Sequence, residues 1–161
     1  MEKGDARNRL AGIAYERSIV QQINDSKLFV EVGRSAEIDK VMDAKKVDII
    51  PIDVELFKAF EYRIQAKTST KHIHYIKLLK EIEDNNESGI AVVLHKKTLK
   101  VEGDRYLTEG TYAILSQEDF FNIIEELERY KAGFKEYSQY WDSIPDDEKP
   151  GLHERLKKLG I

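Results

Sequence analysis

The chain has 161 residues, of which 35% are charged and 41% hydrophobic, and it contains no cysteine. This composition excludes a disordered chain, a disulfide-stapled domain and a thiolate metal site, and the apolar runs are too short to span a membrane. The formal net charge is −4, with the acidic excess in residues 116–161, which argues against nucleic-acid binding through bulk charge alone. We expect a cytoplasmic protein, because the N-terminal segment lacks the apolar stretch of a secretory signal.

The N-terminal part of the chain predicts a helix followed by two strands. Helical spacing of apolar residues over 9–24 predicts the helix, and Asn24-Asp25-Ser26 ends it. Residues 28–32 are typical of a short strand, and residues 46–52 predict a β-branched second strand. Within that second strand Pro51 implies a sheet edge or a bulge, since proline cannot donate a ladder hydrogen bond.

Residues 62–70 predict a third strand with two chemically different faces. Side chains of a strand alternate between its faces, so Ile64 and Ala66 share an apolar face with Tyr62. The opposite face is polar and carries Glu61, Arg63, Gln65 and Lys67.

The second half of the chain predicts a helix, two strands and a long helix. Residues 71–84 have helical spacing, residues 90–95 and 106–115 favour strands, and an amphipathic helix runs from Gln117 to about Tyr140. Gly133 is a possible interruption of that helix. The order of elements predicts an α/β fold with a mixed central β-sheet flanked by helices and a long C-terminal helix.

Four residues offer the groups that phosphodiester hydrolysis requires. The reaction needs hard oxygen ligands for Mg²⁺, a positioned water and positive charge beside the phosphate. Asp48 supplies a carboxylate from the second strand, and Gln65 supplies an amide oxygen from the third. Lys67 lies on the same strand face as Gln65, and Glu16 on the first helix adds a second carboxylate.

These residues stand in a pattern that resembles the PD-(D/E)-x-K nuclease superfamily. The matching segments are Val47-Asp48-Ile49-Ile50 and Ile64-Gln65-Ala66-Lys67, preceded by a helix that bears Tyr15-Glu16. The resemblance covers roughly residues 9–115. It implies a restriction-endonuclease-like core within a nuclease-like domain of residues 1–142, followed by a C-terminal extension of residues 143–161.

The resemblance also implies a role for each site residue. Glu16, Asp48 and Gln65 are expected to bind Mg²⁺, with Mn²⁺ as a possible substitute, and Lys67 is the expected catalytic lysine. Two departures stand out: Gln65 occupies the usual acidic position, which lowers the charge of the site, and Val47 replaces the proline. The Gln-x-Lys variant is similar to that of some Holliday-junction-resolvase-like and modification-dependent restriction branches.

The function implied is a metal-dependent endonuclease that cleaves branched DNA during recombination. A homodimer is expected, because two strands require two active sites. Two alternatives stay open: a non-catalytic DNA-binding or assembly module that retains the nuclease fold, and a restriction-type endonuclease acting on duplex DNA. A purely structural interpretation also stays open, in which Asp48 and Lys67 form an ordinary cross-strand ion pair and Glu16 is a solvated helix residue.

Further residues are candidates for contacts with DNA or with a partner. The DNA-binding candidates are Arg34, Arg63, Ser69, Lys96 and Lys97. Ser69 is equally suited to cap the following helix, and the lysines are placed in a charged loop. His72 and His74 are expected to point to different sides of that helix, which argues against a shared zinc. The aromatic end of the long helix favours a core or subunit contact over base stacking.

Overall fold

The computed structural model describes residues 3–26, 30–57, 60–101 and 105–144. It has two compact units, residues 1–116 and a second unit that begins at Gln117. The helices are α1 (Lys3–Asp25), α2 (Ser35–Ile38), α3 (Lys40–Ala44), α4 (Tyr75–Asn85) and α5 (Gln117–Ser143), with a 3₁₀ turn at Val54–Phe57. The strands are β1 (Val32–Arg34), β2 (Ile49–Pro51), β3 (Tyr62–Ser69), β4 (Ile90–Lys100) and β5 (Tyr106–Ile114).

The five strands form one mixed sheet in the order β1-β2-β3-β4-β5. Strands β1, β2 and β3 are antiparallel neighbours, β3 and β4 are parallel, and β5 returns antiparallel to β4. Helix α4 connects β3 to β4, since parallel neighbours need a crossover connection. The predicted α/β class and mixed sheet are therefore confirmed.

The core of the first unit consists of two apolar clusters on opposite faces of the sheet. In one cluster Tyr15 and Ile19 of α1 pack against Ile64 and Ala66 of β3. In the other, the fully buried Ile82 of α4 packs against alternate residues of β4, which are Ala91 and Val93. The period of two along β3 and β4 therefore assigns each side chain to the α1 face or to the α4 face.

Strand β2 is shorter than the sequence predicted, and it is an interior strand. It covers Ile49–Pro51, so Asp48 lies immediately before it. Pro51 pairs with Val32 of β1, whereas the pairing with β3 is confined to Ile49 and Ile64. The missing N–H of Pro51 costs no ladder bond, because the neighbouring Ile52 N–H makes the bond to the residue that precedes β1 and the β3 ladder does not extend to Pro51.

Other predicted boundaries also differ from the structure, and α1 begins at Lys3, six residues earlier than predicted. Helix α4 begins at Tyr75, four residues later than predicted, and β4 continues to Lys100 instead of ending at His95. Helix α5 passes through Gly133 without interruption. Of the predicted first strand, residues 28 and 29 lie outside the described residues, and the observed strand begins at Val32.

Helix α5 belongs to the second unit. It runs for 27 residues, and none of its residues is buried. Of the predicted C-terminal extension, only Ser143 and Ile144 are among the described residues. Within the described part of the chain, no helix combines the length and the apolarity needed to cross a bilayer.

Candidate active site

Asp48 lies where the backbone passes from a turn into β2. Lys46, two residues earlier, has a positive φ of 67°, which turns the chain toward the sheet. The Asp48 N–H donates to the Ile64 carbonyl at 2.8 Å, and its carbonyl accepts from the Ser35 N–H at 2.9 Å. Its position is therefore set by hydrogen bonds on both sides, although it is outside the regular strand.

The Asp48 side chain continues this bonding to β3. Its Oδ2 accepts the Ala66 N–H at 2.7 Å. Ala66 is the middle residue of Gln65-Ala66-Lys67, so the carboxylate meets the strand at the centre of the Gln-x-Lys motif. This contact connects the two motif segments that the sequence singled out, and no local pattern could have predicted it.

The environment of Asp48 disfavours the charged form of its carboxyl group. Burial raises the pKa of Asp48 from 3.8 to about 6. The Ala66 N–H and the positive charge of Lys67 lower this pKa, whereas Glu16 and Asp43 raise it. Asp48 is therefore coupled electrostatically to both Lys67 and Glu16, and a carboxyl group poised near neutrality is typical of functional sites.

Gln65 is buried on the α4 face of β3. It pairs in register with Val93, a member of the α4 cluster, whereas its neighbours Ile64 and Ala66 face α1. Gln65 is 2% exposed, and within the described residues its Oε1 has no hydrogen-bond partner. An unsatisfied buried acceptor costs about 1–3 kcal/mol, which makes this oxygen available to a ligand.

Lys67 is half-buried, two residues farther along the same strand face. It lines a groove together with His72, His74 and Lys77. The two histidines precede α4, and their ring centroids are 5.5 Å apart, so the prediction that they point to different sides of a helix is wrong. Glu81 also lines this groove, and its carboxylate lies 3.8 Å from Lys77 Nζ. Lys67 and the two histidines are therefore the groups of this groove that could face a phosphate backbone.

Glu16 is engaged in an ion pair that the sequence did not predict. Its Oε2 accepts from Arg34 Nε at 2.7 Å, and Arg34 Nη1 donates to Glu37. Arg34 is 9% exposed, so two carboxylates occupy the guanidinium that was a DNA-binding candidate. Among the described residues, no hydrogen bond engages the other carboxylate oxygen of Glu16.

The remaining DNA-binding candidates are separated in the structure. Arg63 is 4% exposed and donates to the Phe60 carbonyl, so it is not the surface residue that the sequence suggested. Lys96 and Lys97 lie within β4 and not in a loop: Lys96 is above the Tyr15 ring, and Lys97 pairs with Glu109 at 2.9 Å. They therefore point to opposite faces of the sheet.

Ser69 has a local structural role at the end of β3. Its hydroxyl accepts the Lys71 N–H at 2.9 Å and contacts the Lys71 carbonyl at 3.1 Å. Because α4 begins only at Tyr75, this hydroxyl stabilises the turn and does not cap the helix.

His95 is a site neighbour that sequence reasoning missed. It stands opposite Lys67 in the parallel pairing of β3 and β4 and is 1% exposed. Its Nδ1 is 2.7 Å from the Tyr75 hydroxyl, and burial lowers its pKa. The alternation Ala91, Val93, His95 places it on the α4 face, but its proximity to Lys67 depends on the strand register.

The donor set suits a hard cation, although it carries little charge. Among the described residues, no three His, Asp or Glu side chains gather closely enough to hold a metal ion. The oxygens of suitable chemistry come from Asp48, from the amide of Gln65 and from Glu16. Gln65 faces α4, however, whereas Glu16 belongs to α1, which covers the opposite face of the sheet. Oxygen donors of this kind are those that Mg²⁺ and Mn²⁺ bind, and fewer carboxylates mean weaker binding.

Comparisons with known proteins assign no family to the chain. No family model, no curated protein and no solved structure matches it. The interpretation of the site therefore depends on its geometry and its chemistry.

Proposed function

We propose that this protein is a metal-dependent DNA endonuclease with a restriction-endonuclease-like core of the PD-(D/E)-x-K type. One observation carries the proposal: the Asp48 carboxylate accepts the Ala66 N–H, between Gln65 and Lys67. The order of elements supports it, since a helix and three antiparallel strands are followed by a crossover helix and a parallel strand.

The roles of the residues follow from their contacts. Asp48 would hold Mg²⁺ through the oxygen that does not bond to Ala66. Gln65 Oε1 and the second oxygen of Glu16 are the proposed further ligands, and they would have to approach the ion from opposite faces of the sheet. When bound, the ion would polarise the phosphate and favour ionisation of a water molecule. Lys67 would donate to the developing negative charge, for which a half-buried ammonium is better suited than a fully hydrated one.

Branched DNA is the proposed substrate, and a homodimer is the proposed active form. The groove of Lys67, His72 and His74 could follow a phosphate backbone, so the negative net charge of the chain need not prevent DNA binding. A dimer would supply one site for each of two strands. Cleavage of linear duplex at a fixed sequence would instead indicate the restriction-type alternative.

A second candidate function is favoured by one observation about Glu16. This carboxylate is already paired with Arg34, and Gln65 is neutral, so the site has less charge for a metal ion than three free carboxylates would provide. A nuclease fold with such a site could serve as a DNA-binding or assembly module without turnover.

Titration of Mg²⁺ and of Mn²⁺ against four-way junction, flap and linear duplex DNA separates these functions. We expect metal-dependent cleavage of the junction by the wild type and none by Asp48→Asn or Lys67→Ala, with DNA affinity changed only a few-fold. Lys80→Ala, at an exposed position of α4, is the matched control and should cleave normally. Binding without cleavage in both metals identifies the module, and equal cleavage by the wild type and both site variants refutes the proposed site.

A further inference from the structure

Helix α5 carries an uninterrupted heptad pattern of large apolar side chains. The a positions are Phe120, Leu127, Phe134 and Trp141. The d positions are Ile123, Tyr130, Tyr137 and Ile144, the last of which immediately follows the helix. Alternate spacings of three and four residues along a whole helix are typical of a coiled-coil seam.

The central part of this seam is exposed, whereas Ile123, Trp141 and Ile144 are half-buried. At its centre Tyr130 is 70% exposed and Phe134 is 71% exposed, and no residue of α5 is buried. Tyr130, Phe134 and Tyr137 line a groove beside Gly133, where an added Cβ would meet nothing within 4 Å. A contiguous row of exposed aromatic side chains marks an interaction site. The space at Gly133 could receive a partner's side chain.

We propose that the α5 seam pairs with α5 of a second copy of this chain in a parallel coiled coil. Charge complementarity favours a second copy of the chain as the partner and a parallel arrangement of the two helices. Glu126 occupies a g position and Lys131 the following e position, and these two positions face each other across a parallel dimer. Because the dimer is symmetric, this ion pair between the two chains forms twice. In an antiparallel dimer centred on the seam, Lys131 would face its own copy, which is a like-charge contact.

Lys131 can make this contact without losing its present one. Its Nζ lies 2.8 Å from Glu128 Oε1 on the same helix, and an ammonium group has three donors. Glu126 and Lys131 are five residues apart, so they do not face each other on one helix, and a pair between them must be intermolecular.

The seam is large enough for a stable dimer. Each chain contributes five aromatic side chains to it, and half-burial of one such side chain removes about 100 Å² from water. Two chains together would bury on the order of 1,000 Å², the area at which specific interfaces begin. The interaction does not depend on DNA cleavage, so it can be tested separately from the proposed function.

The first test is the mass of the full chain in solution, measured by sedimentation equilibrium. We expect a dimer for the wild type and a monomer for the double variant Leu127→Glu/Phe134→Glu. Phe120→Glu and Phe121→Glu form a matched pair, because the two side chains are 49% and 51% exposed but only Phe120 lies in the seam. Phe120→Glu should raise the dimer Kd at least several-fold, and Phe121→Glu should leave it near the wild-type value.

Charge exchange and cross-linking test the direction of the helices. Glu126→Lys should weaken the dimer, and the double variant Glu126→Lys/Lys131→Glu should restore most of the lost affinity. Because the chain contains no cysteine, Leu127→Cys provides a single thiol. In a parallel dimer it faces its own copy and should form an intermolecular disulfide on oxidation, whereas Phe121→Cys should not.

Several results would overturn the proposal. A wild type that stays monomeric at high concentration removes the second copy as the partner. A chain that is monomeric at full length and dimerises only when residues 145–161 are deleted would also exclude the second copy as the partner. In that case residues 145–161 would occupy the seam. A dimer that Leu127→Glu/Phe134→Glu leaves unchanged, in protein with a wild-type circular dichroism spectrum, places the interface elsewhere. A cross-link at Phe121→Cys and none at Leu127→Cys excludes the parallel seam.

Discussion

Replacement of Asp48 by asparagine should stabilise the folded protein at neutral pH. Burial raises the pKa of the Asp48 carboxyl from 3.8 to about 6, and neither the Ala66 N–H nor Lys67 fully offsets that cost. Asparagine keeps an oxygen that can accept the Ala66 N–H, and it carries no charge. The variant therefore loses the cost of a buried carboxylate and keeps the hydrogen bond.

The pKa difference sets the size and the sign of the effect. A difference of about two pKa units corresponds to about 3 kcal/mol in the free energy of unfolding. Below pH 3.8 the group is protonated in both the folded and the unfolded chain, and it costs nothing. Between pH 3.8 and about 6 only the unfolded chain ionises fully, so wild-type stability falls as the pH rises. Above about pH 6 the loss is complete.

Urea denaturation of the wild type and Asp48→Asn at a series of pH values measures this difference. We expect the variant to be more stable by up to about 3 kcal/mol at pH 8, with the advantage shrinking toward zero near pH 4. Asp84→Asn, at an exposed position of α4, is the control and should show no such pH-dependent gain. Mg²⁺ should stabilise only the wild type, by about 2.7 kcal/mol at a hundred times its Kd.

A variant that is less stable than the wild type at pH 8 would refute the reasoning. A difference that does not change with pH would do the same, because the cost is assigned to ionisation of this one group. Either result would mean that the Asp48 carboxylate is well solvated or fully paired.

Three further predictions concern groups around the same sheet. Gln65→Glu should lower stability without metal and increase the stabilisation by Mg²⁺ in a thermal titration; equal responses in both proteins would remove Gln65 from the metal site. Tyr75→Phe leaves His95 Nδ1 buried without its partner and should cost about 1–3 kcal/mol in urea denaturation, and a cost near zero would contradict the burial of that pair. Gly89→Ala should cost about 2 kcal/mol or more by the same measurement, since φ is +106° and an added Cβ would lie 2.6 Å from the Glu61 carbonyl oxygen; an unchanged midpoint would contradict it.

The elements of the first unit were largely predictable, because their signals are local. The period of two along β3 separated Ile64 and Ala66 from Gln65 and Lys67, and the packing confirms that α1 covers only the first pair. Boundaries were predicted less well. Helix α4 begins late because residues 72–74 form a connection, and β4 extends to Lys100 because β5 pairs with it along that length.

The contacts within the candidate site could not be predicted from local sequence patterns. The sequence identified Asp48, Gln65 and Lys67 as residues of suitable chemistry, but the hydrogen bond from Ala66 to Asp48 arises from the way the chain enters β2. Arg34 was a candidate for DNA binding, and the fold instead pairs it with Glu16 from a helix 18 residues earlier. His95 was overlooked because only the parallel register brings it beside Lys67.

The sequence by itself determined the α/β class, the order of the main elements, the polar face of β3 and the heptad seam of α5. Each of these is a periodicity or a composition read along one segment, and burial of the apolar side enforces it. Only the tertiary structure decided which charges meet, which polar atoms are left without partners and how strongly burial shifts the Asp48 pKa. Those properties depend on strand register and helix packing, which bring together residues that are distant in the chain.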